Sequence, residues 1–228
     1  MSAAITWLRH NKIDLALHHL REAHREQSRP LLLLHGLGEA SPTATPDWVA
    51  AWPGSIHALD FTGHGRSTLP RGGGYTSEMM LADADAALAA LVDDEGGEHR
   101  GITVVGRGLG AYIALQLAGG RAAAVHGTIL CDGPGLAGGP SEPTSQHFFS
   151  PPPADTTPDP HALVELGRDL RPPDYATAFV RLAVAGSALD EPIAVAAAFR
   201  PPWLQAVVSE AGVIETTIAA ALDVYSDG

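Results

Sequence analysis

Hydrophobic residues along the chain form short runs, and the segments between several of these runs have helical spacing. Four consecutive leucines at residues 31–34 lie between a proline and Gly36, which predicts a central strand buried on both faces. The same pattern predicts an amphipathic helix at residues 76–92 and further strands at residues 13–20, 55–60, 102–105 and 125–132. Strands alternating with helices indicate an α/β fold with a mostly parallel sheet and helices on both faces.

The pattern changes after residue 132. Residues 133–160 are rich in proline, glycine, serine and threonine, which is typical of a lid or a binding loop. Helices are predicted at residues 161–170, 175–185, 192–199, 203–210 and 213–224, and no further β-branched run predicts another central strand. We therefore expect a core at residues 1–132, a Pro-rich loop and helical lid at 133–200, and C-terminal helices at 201–228 that pack on the core.

One strand, tight turn and helix at residues 101–118 organise the chain. Gly106, Gly108 and Gly110 alternate in the turn, and such turns present one residue and the following amides to a ligand. The turn fits a nucleophile elbow, G-x-S-x-G, in which position 108 would carry the nucleophile. It also fits the dinucleotide fingerprint G-x-G-x-x-G/A, with Ala111 as the last position. Gly108 has no side chain that could act as a nucleophile.

Three motifs in order resemble those of the α/β-hydrolase superfamily. They are a strand with a His-Gly loop at residues 31–38, the turn DFTGHGRS at 60–67, and the elbow VVGRGLGA at 104–111. The resemblance covers roughly residues 5–135 and implies a three-layer α/β-hydrolase fold, shortened at the C-terminal edge of its sheet. A dinucleotide fingerprint normally follows the first strand of its domain, whereas about three strands precede this turn.

The resemblance also implies an oxyanion hole. Its two amides would belong to Leu37 and Leu109, with His35, Gly36 and Arg107 beside them. We interpret His35 itself as a hydrogen-bonded packing residue. Gly108 is expected to enlarge this pocket because it removes a side chain.

Nucleophilic hydrolysis also needs a base and an acid that orients it. In the family these usually follow two further C-terminal strands, which the predicted elements do not include. Asp132 is the candidate acid, although a structural role is equally open to it. His147 and His161 follow it in the permitted order and are the candidate bases.

Composition excludes several classes of protein. The net charge of −12 argues against a nucleic-acid or anionic-membrane partner. Cys131 is the single cysteine, so no internal disulfide is possible, and its place after an apolar strand predicts a buried structural thiol. No metal-ligand spacing and no cofactor are predicted. The chain lacks a signal-peptide core and a long apolar segment, so a cytoplasmic protein is expected.

These observations favour a non-catalytic or weakly active pseudo-hydrolase whose pocket holds a small carbonyl or carboxylate ligand. One alternative is an active hydrolase or lyase that acts on esters or related carbonyl compounds without a covalent serine intermediate. Others are a structural or partner-binding protein and a nicotinamide-dependent oxidoreductase. Because two C-terminal strands are missing from the prediction, an exposed sheet edge is expected, and with it a homodimer or a heteromer.

Overall fold

The computed structural model describes residues 4–10, 12–25, 28–93, 101–140, 151–152 and 154–226. The strands are β1 (Ala4–His10), β2 (Ile13–Arg21), β3 (Leu31–Leu34), β4 (Ile56–Leu59), β5 (Ile102–Arg107), β6 (Val125–Cys131), β7 (Ile193–Val195) and β8 (Val213–Glu215). The helices are α1 (Ser77–Asp93), α2 (Leu109–Gly120), α3 (Pro160–Leu166), α4 (Pro173–Gly186), α5 (Pro202–Val208) and α6 (Ile218–Ser226).

All eight strands form one sheet in the order β1-β2-β4-β3-β5-β6-β7-β8. Strand β2 runs antiparallel to β1 and β4, and every other pairing is parallel. The predicted mostly parallel α/β sheet is therefore confirmed, with β3 and β5 at its centre.

The expected shortening of the sheet is wrong. Strand β7 pairs with β6 through Thr128 and Ile193, and β8 pairs with β7 through Ile193 and Val213. Both strands have only three residues, and the alanine-rich segments around them have high helix propensity, so the sequence predicted helices at 192–199 and 213–224. Residues 193–195 belong to the sheet rather than to a lid. The homodimer or heteromer stays a prediction, but missing strands no longer support it, because both strands are present.

The two faces of the sheet are covered differently. Alternate residues of β5 point to opposite faces, so Val104 and Val105 enter separate hydrophobic clusters. Val104 belongs to the larger cluster, which buries residues from helices α1 to α5. Val105 belongs to the smaller cluster, which is covered by α6 and by a one-turn 3-10 helix, Asp47–Val49.

The connection from β3 to β4 leaves part of the second face without a helix. Parallel neighbouring strands need a crossover of about a dozen residues or more, and the crossover is usually an α-helix. Here residues 35–55 contain only the 3-10 turn at Asp47–Val49. The consequence is a recess against the carboxyl ends of β3, β5 and β6.

Candidate functional site

The turn after β5 has the strained geometry of a nucleophile elbow. Gly108 lies at φ 59° and ψ −118°, a conformation that residues with a side chain rarely adopt, and α2 begins at Leu109. The predicted strand, tight turn and helix are thus confirmed, and the turn keeps this backbone geometry although the position carries no nucleophile.

The two amides predicted for the oxyanion hole converge on one acceptor. The amides of Leu37 and Leu109 both donate to the carbonyl oxygen of Pro134, each over 2.9 Å. These are the distances at which an oxyanion hole would hold a reacting oxygen. The carbonyl oxygen held at this site therefore belongs to the protein itself.

The space above Gly108 is filled by the same segment. A Cβ added to Gly108 would lie 2.1 Å from the carbonyl oxygen of Pro134 and 2.7 Å from the carbonyl carbon of Gly133. Both distances are far below van der Waals contact. The expectation that Gly108 enlarges the pocket is therefore wrong, because backbone occupies the position of the missing side chain.

The first amides of α2 are satisfied within the protein. Besides the bond from Leu109 to Pro134, the amide of Gly110 donates to the carbonyl of His35 over 3.1 Å, and that of Ala111 donates to Gly108 over 3.1 Å. The carbonyl of Pro134 also lies at the positive end of the helix dipole, which favours negative partial charge. An incoming oxygen would have to displace this carbonyl to reach the two amides.

Residues 133–136, here called the plug, accept hydrogen bonds from two buried side chains. Nη1 of Arg171 donates to the carbonyls of Gly135 and Leu136 over 2.5 and 2.7 Å. Nε1 of Trp203 donates to the carbonyl of Leu136 over 2.8 Å. The guanidinium carbon of Arg171 also lies 4.6 Å from the centroid of the Tyr112 ring, a cation–π arrangement.

Arg171 is a buried charge with a positioning role. Its side chain belongs to the buried set at 4% exposure, and burial lowers its pKa to about 10, opposed by Asp169 and Tyr112. The guanidinium stays charged at neutral pH, and two backbone carbonyls and an aromatic face partly compensate its lost hydration. The plug is thus anchored in the main hydrophobic core.

The carboxylate of Asp132 is hydrogen-bonded to the backbone of the loop that follows β7. Its two carboxylate oxygens accept hydrogen bonds from the amides of Ala198 and Phe199 over 2.7 and 3.0 Å. The carboxylate therefore fixes the loop that follows β7. It has no histidine among its hydrogen-bond partners in the described part of the chain.

His161 is not a hydrogen-bond partner of Asp132. His161 lies in the first turn of α3, where its amide donates to Asp159, and its ring lies beside Gly73, in the loop before α1. The same helix is fixed to that loop by Glu165, which accepts from the amides of Gly74 and Tyr75. His147 lies outside the described residues.

The two strands missing from the prediction are present, but the residues expected after them are absent. Strand β7 is followed by AAAF at residues 196–199, and β8 by Thr216 and Thr217 before α6. Neither loop contains a histidine, and the loop after β7 contains no acid. At the end of β8, Glu215 pairs with Arg200 over 2.5 Å.

His35 is buried, and both of its ring nitrogens form hydrogen bonds to the backbone. Its Nδ1 donates to the carbonyl of Gly36 over 2.7 Å and its Nε2 accepts from the amide of Phe61 over 3.1 Å, which together define one neutral tautomer. Burial and the neighbouring His64 lower its pKa to about 4. His35 is therefore uncharged at neutral pH.

The side chain of Arg107 is paired with an acidic residue of the β3–β4 connection. Its Nε and Nη2 form a bidentate ion pair with Glu39, with Nε–Oε2 and Nη2–Oε1 distances of 3.0 Å. Partial burial opposes ionisation of Glu39, but hydrogen bonds from Arg107 and from the amide of Gly36 lower its pKa. The pair joins the β3–β4 connection to the end of β5.

Sequence reasoning missed the plug and Arg171. One signal was available: Gly-Pro-Gly-Leu begins directly after Asp132, the residue that follows β6, and the carboxyl ends of neighbouring parallel strands meet at one sheet edge. The plug therefore had to start beside the elbow. Nothing local in the sequence marks Arg171 as its anchor.

The chain belongs to the α/β-hydrolase family, whose model matches residues 31–223. The thioesterase domain from the curacin biosynthetic pathway aligns over 98% of this chain and 96% of that one, with 15% identity and a TM-score of 0.60. The N-formylmaleamic acid deformylase Nfo from Pseudomonas putida S16 aligns over 94% and 92%, with 19% identity and a TM-score of 0.57. These similarities show the fold.

A probable hydrolytic enzyme from Pseudomonas aeruginosa PAO1 is 21% identical, with a TM-score of 0.45 over 56% of this chain. The alignment spans only 40% of that enzyme's length. No match was found among curated proteins. In the described part of the chain, no helix is long and apolar enough to cross a membrane, and no three His, Cys, Asp or Glu side chains are grouped for a metal.

Proposed function

We propose that this protein is a non-catalytic member of the α/β-hydrolase family, a pseudo-hydrolase whose catalytic centre is closed by its own backbone. The observation that carries the proposal is the carbonyl oxygen of Pro134, which accepts from both oxyanion-hole amides at 2.9 Å. A substrate carbonyl needs the same two donors in order to be polarised. The carbonyl ligand of this hole is therefore internal.

The remaining catalytic positions support the same conclusion. Gly108 provides no nucleophile, and Asp132 is engaged by two backbone amides. Removing several members of a triad leaves only the oxyanion hole and substrate binding to accelerate the reaction. Here the hole is filled as well, so this residual contribution is lost too.

An active hydrolase or lyase that uses Asp132 and His161 fits the geometry less well. His161 hydrogen-bonds through its backbone to Asp159 and lies beside the loop before α1, whereas Asp132 holds the loop after β7. Acid and base must lie within hydrogen-bonding reach of each other or of one reacting group. The pseudo-hydrolase is therefore the better supported function.

The test is turnover of p-nitrophenyl esters of increasing chain length by the wild type and Gly108→Ser, together with intact-mass detection of phosphonate labelling. We expect no saturable turnover and no labelling in either protein, because a serine alone restores neither a base nor an open hole. Circular dichroism first checks that Gly108→Ser is folded. The wild-type assay tests the proposal even if the variant does not fold. Wild-type turnover that disappears in Asp132→Asn would overturn the proposal.

A further inference from the structure

A cavity lies at the carboxyl ends of β3, β5 and β6, with its floor on the face of the sheet that α6 covers. It has a volume of about 690 Å3 and occupies the recess left where the β3–β4 connection has no α-helix. Its floor comes from the ends of β3, β5 and β6, and its walls from the β3–β4 connection and the start of α6. This groove is lined chiefly by Leu33, Val105, Cys131, Trp48, Ala196 and Ile218.

The size and chemistry of the groove suit a small molecule with an apolar body. Ligand sites typically measure about 300–1,000 Å3 and have apolar walls with a few polar groups. At roughly 30 Å3 per non-hydrogen atom in a liquid, the groove holds a ligand of about 20 such atoms. Trp48 remains 47% exposed beside it, so a large aromatic surface is open to such a ligand.

Three charged side chains at the groove determine which kind of head group a ligand can have there. They are Arg107, Glu39 and Asp132, so ionised groups contribute one positive and two negative charges. His35 also lines the groove, but burial and His64 lower its pKa to about 4, so it is neutral at pH 7. The resulting excess of negative charge disfavours a carboxylate ligand.

Among the charged groups at the groove, the atom that remains unused in hydrogen bonding is a donor. Glu39 already accepts from Arg107 and from the amide of Gly36, and Asp132 accepts from two amides. Arg107 uses Nε and Nη2 for Glu39, and among the described residues no side chain or carbonyl accepts from its Nη1. A ligand acceptor placed there would receive a charge-assisted hydrogen bond.

We infer that the groove beside Arg107 binds a neutral, largely apolar small molecule that carries a hydrogen-bond acceptor, such as a carbonyl, at one end. Nη1 of Arg107 donates a hydrogen bond to this acceptor, and the apolar body lies along Val105, Cys131 and Trp48. The floor of this site belongs to the face covered by α6, whereas the plug lies against the start of α2. The inference goes beyond the proposed function, and binding there does not depend on whether the catalytic centre is closed.

The experiment is calorimetric titration with three probes of equal chain length below their micelle-forming concentrations. The probes are N,N-dimethyldecanamide, decanoate and decyltrimethylammonium, whose head groups are a neutral acceptor, an anion and a cation. We expect one-to-one binding of the amide and at least about 10-fold weaker binding of decanoate. Absence of saturable amide binding, or tighter binding of decanoate, would overturn the inference.

Variants assign the binding to the groove. Ala196→Phe and Ala40→Trp each place a large side chain at its lining, so both should abolish amide binding; position 40 is exposed, which makes that variant safe for folding. Arg107→Met should weaken amide binding about 10-fold. The matched control is Arg121→Met, since Arg121 forms a similar bidentate pair with Asp85 away from the groove. Unchanged affinity in the blocking variants or in Arg107→Met would contradict the inference.

Discussion

The two faces of the sheet differ at the carboxyl ends of the same strands: one holds a filled site and the other an open groove. On the side of α2, the oxyanion-hole amides are intact but bind the carbonyl of Pro134, and the space above Gly108 is filled. On the side of α6, the same strands end in an open groove of about 690 Å3. The two converging amides and the open groove are thus separate features of the same sheet edge.

The comparison teaches that an oxyanion hole can persist as a structural device. Helix α2 needs acceptors for its first amides wherever it begins, and a protein carbonyl satisfies them as well as a substrate does. Without a nucleophile at Gly108, nothing prevents the plug from approaching. The backbone geometry of an elbow therefore says little about activity until the acceptor of its amides is known.

The largest expected effect comes from restoring a side chain at the filled site. Gly108→Ala should lower the free energy of unfolding by about 4 kcal/mol, because the new Cβ meets the plug and the residue must adopt a positive φ. Urea unfolding measures it. The matched control is Gly120→Ala in the same helix, where an added Cβ meets nothing within 4 Å and should be neutral or stabilising. A loss below about 1 kcal/mol for Gly108→Ala would mean that the plug is not packed there.

Removing the anchor of the plug should have the next largest effect. Arg171→Met keeps an apolar stem but leaves the carbonyls of Gly135 and Leu136 without that donor, so we expect a loss of about 3 kcal/mol. Chemical denaturation again provides the measurement. Arg181→Met, which breaks a solvent-exposed pair with Glu210, should leave the unfolding midpoint unchanged. Equal effects of the two substitutions would contradict a special role for Arg171.

The buried histidine beneath the hole should make stability depend on pH. The pKa of His35 is about 4 in the folded protein, below the ordinary value of about 6.5, so the unfolded chain binds more protons between these values. Its contribution to stability is therefore lost as the pH falls from 7 toward 4. By pH 5 this loss should be about 1 to 2 kcal/mol.

His35→Asn isolates that contribution. Asp83 acts in the opposite direction, since burial raises its pKa to about 7 and its contribution is lost as the pH rises. The difference between wild type and His35→Asn removes this common background. We expect the decrease in unfolding free energy from pH 7 to pH 5 to be smaller in the variant, and an unchanged decrease would refute the assignment.

The smallest effect should come from the ion pair at the groove. Glu39→Gln should change the free energy of unfolding by less than about 1 kcal/mol, because the Arg107 side chain is 53% exposed and water screens the pair. Thermal and urea unfolding check this value. A loss above about 2 kcal/mol would show that the pair supports the fold rather than the rim of the groove.

Much of the fold follows from the sequence because its central elements carry strong local signals. The leucines of β3 predicted the centre of the sheet, and the alternating glycines at positions 106, 108 and 110 predicted the elbow turn. The sequence also named the amides of Leu37 and Leu109, which converge on one carbonyl oxygen. Strands β7 and β8 were missed because three residues are too few to show a period. In β7, Ala194 also favours a helix by propensity, and only pairing with β6 makes it a strand.

The filled site could not be predicted from local patterns. The partner of both amides is a backbone carbonyl, which every residue possesses, so no residue type at position 134 marks it. Asp132 was left open between two roles, and its structural role depends on the loop after β7, a strand absent from the prediction. Long-range contacts decided each of these points.

The most direct test of the account is a nuclear magnetic resonance measurement of scalar couplings across hydrogen bonds in the deuterated, 15N,13C-labelled protein. The account predicts that the amides of Leu37 and Leu109 both couple to the carbonyl carbon of Pro134. The bond from the Leu31 amide to the Ser55 carbonyl, at 2.8 Å, serves as the internal control. Control coupling without either coupling to Pro134 would mean that the hole is open, and would contradict the central claim.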